Sequence, residues 1–200
     1  MTYLWMMKFE RIIEKPLHLP TAMEMPQFPC VKLDISNQSS DFIGQFIEHR
    51  SDESWLLMSH YAAQGQQQLW TAWLLAKRAF SNNKALARTL DAEFLRYIVG
   101  THHVSEAFKK VGIKSHDDTA WLIFLPKHIA DLDEMKPSFS LDEFRLGVES
   151  LTQKLNLKVI EGKPEINIEG IEKIGIQLPE SKSNLIDSII GHIISADLNS

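Results

Sequence analysis

Two small groups of histidine and acidic residues are the first places in this sequence where side chains have the types needed for chemistry. His102 and His103 are adjacent, and His116 is followed by Asp117 and Asp118. Imidazole nitrogens and carboxylate oxygens are common metal ligands. Neighbouring residues on a helix point about 100° apart, however, so His102 and His103 are poorly placed to share one ion. The sequence therefore favours polar residues near a helix start over a metal site.

Motifs of the common enzyme classes do not occur in the 200 residues. There is no phosphate-binding GxxxxGK[ST] or GxGxxG, no GxSxG nucleophile turn and no HExxH. Cys30 is the only cysteine, which excludes internal disulfides and a CxxC motif and favours a reducing compartment. We predict a protein that is not an enzyme and holds neither a cofactor nor a metal.

Positive charge is concentrated in one part of an acidic chain. The formal net charge is −5, yet residues 77–114 carry eight basic and three acidic side chains. Clustered Lys and Arg attract polyanions, although a solvated helix face produces the same pattern. The candidate phosphate-contacting residues are Lys84, Arg88, Arg96, Lys109, Lys110 and Lys114, with His102 and His103 as pH-sensitive auxiliaries.

Much of this basic segment lies on two predicted helices that meet at Gly100, like a helix-turn-helix. Thr89 is placed to cap the first helix. The second has an apolar stripe of Val104, Ala107, Phe108 and Val111, and Gly112 is predicted to end it in the left-handed conformation with Ile113 folded back onto Phe108.

A DNA-reading helix carries Arg, Asn, Gln or Lys early on its exposed face, where it meets base edges. This helix offers His103, Ser105 and Glu106 there, and the Glu106 carboxylate would repel phosphate. The pattern therefore excludes a DNA-reading role for the pair.

The other segments alternate between strand and helix patterns. Apolar composition predicts strands in residues 3–13, 30–35, 54–60 and 119–126, the last an uninterrupted apolar run typical of a central strand covered on both faces. Helical spacing predicts helices over residues 41–49, 66–80 and 185–194, the first of them capped by Ser40. A further helix is predicted to start at the capping box formed by Ser140 and Glu143. We predict one α/β (α+β) domain over residues 1–200, in which several helices, including the helix-turn-helix-like pair, pack on a mixed sheet.

Residues 65–126 resemble the smallest subunit family of KEOPS, the tRNA-modifying complex, whose members are PRPK-binding-protein-like. The resemblance rests on "LARTLDAEFLRYIVGTHHVSEAFKKVGIK", residues 86–114, with Gly-Thr after the first helix and Gly-Ile after the second. The preceding helix, the following apolar strand and the tail "LIDSIIGHIISADL" follow the family's order. The residue after Gly-Thr is often basic in relatives and is His102 here, a side chain whose ordinary pKa is about 6.5.

The resemblance implies a non-catalytic subunit that binds a PRPK-type kinase-like ATPase and the 3′ end of tRNA in support of threonylcarbamoyladenosine formation. The eight basic and histidine candidates would then contact tRNA. Two alternatives stay open, a protein-interaction scaffold without RNA binding and a small-molecule enzyme with an unrecognised site. The apolar start is broken by Lys8, Glu10 and Arg11, which is unlike a signal peptide, and we expect a cytoplasmic protein without membrane contact.

Overall fold

The computed structural model describes residues 26–131, 136–178 and 185–198, and the strand predicted in residues 3–13 lies outside these ranges. Within these ranges, six strands run over Cys30–Asp34 (β1), Trp55–Ser59 (β2), Thr119–Phe124 (β3), His128–Asp131 (β4), Lys136–Ser138 (β5) and Lys158–Ile160 (β6). Seven helices of the described residues run over Phe42–His49 (α1), Gln66–Ser81 (α2), Leu90–Val99 (α3), Val104–Val111 (α4), Leu141–Lys154 (α5), Ile168–Ile174 (α6) and Leu185–Leu198 (α7). The predicted α/β class is confirmed.

Four strands form the main sheet in the order β2-β3-β1-β6, and each neighbouring pair is antiparallel. The strand β3 is central, as its apolar run predicts, and every residue in it after Thr119 is buried. Strands β4 and β5 make a separate two-stranded hairpin.

Helices cover both faces of this sheet because successive side chains in a strand point to opposite sides. Leu56 and Met58 of β2 and Trp121 of β3 belong to the larger core under α2, α3, α4, α6 and α7. Leu57 of β2 and Leu122 of β3 belong to the smaller core under α1 and α5. The basic segment lies on the larger, five-helix side.

Several local predictions are confirmed. Trp73 is buried in the larger core, where helical spacing places it. Ser140 caps α5 by accepting a hydrogen bond from the Glu143 backbone N–H at 3.2 Å. The C-terminal helix forms despite Gly191, and Gly100 ends α3 with a left-handed φ of 65°.

Two helix ends differ from the predictions. Asp41, not Ser40, is the residue before α1, and its side chain makes no capping bond. Gly112 has φ −69° and ψ 156°, an extended conformation instead of a left-handed one. The predicted Ile113–Phe108 closure is therefore absent in its expected form, because Ile113 packs against the smaller core while Phe108 is 48% exposed.

Gly112 is nevertheless a position where a side chain does not fit. A β carbon built there would lie 2.4 Å from the Phe108 carbonyl oxygen, which accepts the Gly112 N–H at 2.9 Å. Glycine is needed here because it leaves room for the Phe108 carbonyl oxygen of the preceding turn. From sequence alone, this need for space looks the same as the need for a left-handed conformation.

Candidate nucleic-acid interface

Arg96 is inside the protein, with 1% of its surface exposed. Its guanidinium donates to both Glu93 carboxylate oxygens, at 2.7 Å from Nη2 and 3.2 Å from Nε. It also donates to the carbonyl of Thr101 at 2.9 Å and lies 4.4 Å from the Tyr97 ring centroid. The ion pair raises the pKa of Arg96 against the opposing effect of burial. Nε, Nη1 and Nη2 of this side chain all donate within the fold, although the residue also forms part of the inner wall of the cleft described below.

The same network fixes the last turn of α7 against α3. Arg96 Nη1 lies 3.4 Å from the Ala196 carbonyl, and the Tyr97 hydroxyl donates to Asp197 at 2.5 Å. Burial, together with the hydrogen bond to Asp197, raises the pKa of Tyr97. Arg96 therefore has an internal role, and we leave it out of the surface that we consider for phosphate contact.

A cleft of about 260 Å³ opens on the outer side of this network, between the end of α2, the loop after it and the end of α7. Arg78 and Lys84 are exposed at this cleft, and Asn82 adds an amide. Leu86 contributes an apolar side chain that is 52% exposed, and Tyr97 forms part of the inner wall. The cleft combines cations with apolar and aromatic surface, the combination that single-stranded nucleic acid requires.

A second group of cations surrounds α4. Lys109 is exposed, and the Lys114 ammonium donates to the Lys109 carbonyl at 3.0 Å. Lys110 pairs with Glu106 at 3.0 Å, and the hydroxyl of Thr101 donates to the same carboxylate at 2.5 Å. These hydrogen bonds lower the pKa of Glu106. The charge of Glu106, in the first turn of α4, is thus partly neutralised by Lys110 of the same helix.

Lys173 of α6 belongs to this second group. Its ammonium lies 4.9 Å from the Tyr61 ring centroid, and the Tyr61 hydroxyl donates to the Lys110 carbonyl at 2.6 Å. The Glu169 carboxylate, 2.7 Å away, raises the pKa of Lys173. Tyr61 therefore links Lys173 of α6 to the backbone of Lys110 on α4, and its buried ring carries the Lys173 cation.

The two predicted histidines have different environments. His103 is exposed and is the residue before α4. His102 is partly buried, and its Nε2 is enclosed without a hydrogen-bond partner. Arg88 is exposed just before Thr89 and α3. The His103 backbone N–H donates at 3.2 Å to the Thr101 hydroxyl, which in turn donates to Glu106, the ion-pair partner of Lys110.

Asp117, from the other histidine–acid group, holds the loop after α4 to the sheet. Its carboxylate accepts from the Ser59 hydroxyl at 2.8 Å and from the Lys114 backbone N–H at 3.0 Å. The same hydroxyl lies 2.8 Å from the Gly112 carbonyl. Within the part of the chain that the structure describes, no three His, Cys, Asp or Glu side chains are grouped so that they could hold a metal ion.

Arg78, Asn82 and Lys173 are absent from the residues that sequence singled out. Arg78 lies in the same basic segment, but only the fold shows that it shares a cleft with Lys84. Lys173 is about sixty residues further along the chain and reaches the lysine group because α6 packs on α4. A helical stripe does not report such distant neighbours.

No helix in the described ranges is long and apolar enough to cross a bilayer. Comparison of the chain with known protein families finds no matching family model, and comparison with curated proteins finds no match.

Proposed function

We propose that this protein is a non-catalytic subunit of the KEOPS type that holds the single-stranded 3′ end of tRNA and binds a kinase-like ATPase partner. In this role it supports threonylcarbamoyladenosine modification of tRNA in the cytoplasm. The proposal rests on the resemblance over residues 65–126 and on one geometric observation, the cleft with Arg78 and Lys84 beside the exposed apolar Leu86.

The chemistry of the cleft suits an unpaired nucleotide. A base buries its flat apolar faces while its phosphate stays near cations, and every base has such a face, so this mode tolerates sequence. The apolar wall of Leu75, Ala79 and Leu86 supplies the first part, and Arg78 and Lys84 supply the second. The lysine group around α4 lies on the same five-helix side of the sheet and gives the following phosphates a second set of cations.

The salt dependence of tRNA binding tests the proposal. Each phosphate contact to a single strand changes the slope of log K against log salt by about −0.7, so losing two contacts flattens the slope by about 1.4. We expect this change for the double variant Arg78→Gln/Lys84→Gln and for Lys109→Gln/Lys114→Gln. A matched control is Arg145→Gln/Lys154→Gln, which removes two exposed cations on α5, the helix that covers the other side of the sheet.

Slopes that are unchanged in both test variants would reject RNA contact at these cations and favour a scaffold that binds only protein. Equal flattening in the control pair would mean that tRNA binds through net charge and not through a site. Only a change confined to the test pairs supports the proposal.

The partner part of the proposal has its own test. Phe108 is exposed on α4 although the helical stripe places it in the core, so it is available for contact with another protein. We expect the cognate kinase-like subunit to co-elute with the wild-type protein at micromolar concentration and to be retained less by Phe108→Ser. Failure of the wild-type protein to co-elute would contradict the partner assignment without affecting the RNA assignment.

A further inference from the structure

A second cavity, of about 340 Å³, lies away from the cleft, between the start of α2, residues 164–166 and the start of α7. Its size is at the small end of the range for small-molecule sites. Gln64, Gln67 and Gln68 line one side, and Ile186, Ile189 and Ile190 of α7 line the other. The cavity thus has one polar wall and one aliphatic wall.

The orientation of the Gln68 amide is fixed by its neighbours. Its Oε1 accepts the backbone N–H of Gln64 at 2.6 Å, and a backbone N–H only donates, so the amide cannot be turned round. Gln68 is 2% exposed, and its Nε2 has no hydrogen-bond partner. Nε2 is thus an enclosed donor, on a residue that lines the cavity, that no protein group satisfies in the described ranges. An unpaired buried donor destabilises the fold, and a ligand acceptor would offset that cost.

Two nearby glutamine amides are held by the fold, that of Gln64 on this wall and that of Gln66 next to it in sequence. Gln64 donates from Nε2 to the Tyr61 carbonyl at 2.6 Å and accepts from the Asn167 N–H at 2.7 Å. Gln66 accepts the backbone N–H of Phe28 through its side-chain oxygen. Gln67 and Gln68 are the two glutamines of this wall whose amides keep donor capacity.

The cavity also lies at the N-terminus of a sixteen-residue helix that has no side-chain cap. Gly65 precedes α2 with φ 130°, and no acidic residue occupies the first turn. The first hydrogen bond of the helix is from Leu69 to Gly65, and in the described part of the chain the backbone N–H groups of Gln66, Gln67 and Gln68 donate to no protein acceptor. Free N–H groups and the positive end of the helix dipole favour an anion.

The donor wall and the aliphatic wall together select a ligand. An acceptor with negative charge satisfies the helix N-terminus and the Gln68 amide, and an unbranched hydrocarbon body satisfies the isoleucines. Glu165 also lines the cavity, but its carboxylate lies 3.2 Å from the Lys163 ammonium and is mostly exposed. We propose that this cavity binds a small aliphatic carboxylate, with its carboxylate at the start of α2 beside Gln68 and its chain along Ile186, Ile189 and Ile190. This site is separate from the cleft and does not depend on RNA binding.

Calorimetric titration of the full-length protein with octanoate tests the site. Octanol, which has the hydrocarbon chain, and acetate, which has the carboxylate, are the control ligands. We expect octanoate to bind at least tenfold more tightly than either, because octanol lacks the charge and acetate lacks the chain. Gln68→Glu keeps an oxygen for Gln64 and replaces the free donor with an acceptor, so it should weaken octanoate binding by roughly tenfold or more.

A surface variant keeps the test valid if Gln68→Glu does not fold. Ile186→Glu places a carboxylate on the aliphatic wall at a residue that is 42% exposed, and Ile194→Glu is its control on the same helix, 38% exposed and outside the cavity. We expect loss of octanoate binding in the first and wild-type binding in the second. No detectable octanoate binding by the wild-type protein, octanol binding as tight as octanoate binding, or equal loss in both helix variants would each overturn the proposal.

Discussion

The internal role of Arg96 leads to a prediction that separates it from every other cation of the basic segment. Replacement by Met keeps an unbranched apolar stem and removes the guanidinium. Glu93, fully buried, would then keep only the Ala87 backbone N–H at 2.9 Å as a donor. Removing one partner of a buried ion pair costs about 3–5 kcal/mol because the remaining charge is uncompensated. Arg96→Met should therefore lower the free energy of unfolding by about that amount.

Urea denaturation measures this cost, because the free energy of unfolding falls linearly with urea. Arg88→Met is the matched control, since Arg88 is exposed eight residues earlier and should change stability by less than about 0.5 kcal/mol. The double variant Glu93→Gln/Arg96→Met should lose less stability than Arg96→Met alone, because no unpaired buried charge remains.

Under conditions where it is folded, Arg96→Met should leave the slope of log K against log salt for tRNA binding unchanged. A loss of stability below about 1 kcal/mol would refute the assignment of Arg96 to the core network. A flattened salt slope with full stability would refute it in a second way, by returning Arg96 to the phosphate-contacting surface.

Three further predictions concern the elements around this network. Burial lowers the pKa of His192, whose Nε2 donates to the Val99 carbonyl at 2.6 Å, so the unfolded chain binds the proton more readily than the folded protein does. The free energy of unfolding should therefore fall as pH drops below about 6.5. His192→Gln should flatten that fall in urea titrations at several pH values. Gly112→Ala should lower the melting temperature because its β carbon meets the Phe108 carbonyl, and an unchanged melt would show that the backbone relaxes at no cost. Asp117→Ala should cost about 1–3 kcal/mol, because the Lys114 N–H loses its acceptor and the buried Ser59 hydroxyl keeps only the Gly112 carbonyl among the contacts described, and calorimetry that finds no loss would contradict the role of Asp117 in holding this loop.

The fold was predictable from sequence where a pattern reports burial directly. The apolar run at 119–126 has no polar break, which is typical of a strand covered on both faces, and β3 is a buried, central strand of the sheet. The spacing of Leu69, Ala72, Trp73 and Ala76 likewise places one face of α2 in the core. Residues 157–182 are harder to read from sequence, because alternating isoleucines at 166 and 168 suggest a strand. In the described part of this segment, Asn167 instead caps the helix α6 by accepting the Gly170 N–H at 2.9 Å.

The candidate site was predictable only in part, because charge in a sequence does not say where a side chain points. Arg88 and Arg96 are equally basic, but one precedes α3 at the surface and the other meets Glu93 in the interior. Glu93, the partner of Arg96, is three residues earlier in the sequence, but such pairs are common on exposed helix faces. The pair is buried because α7 covers it, which the local sequence does not show. Arg78 and Lys173 needed the fold for the opposite reason, since their neighbours are distant in sequence.

The central claim, that the cleft holds the 3′ end of tRNA, is tested most directly by shortening the RNA and altering the cleft in the same experiment. Affinities are measured for wild-type protein and for Arg78→Gln/Lys84→Gln, each with full-length tRNA and with tRNA that lacks its terminal 3′ nucleotides. If the cleft holds that end, trimming weakens wild-type binding strongly and weakens binding by the variant little, because the contacts are already lost. Equal weakening in both proteins would place the 3′ end elsewhere, and no weakening in either would contradict recognition of the 3′ end altogether.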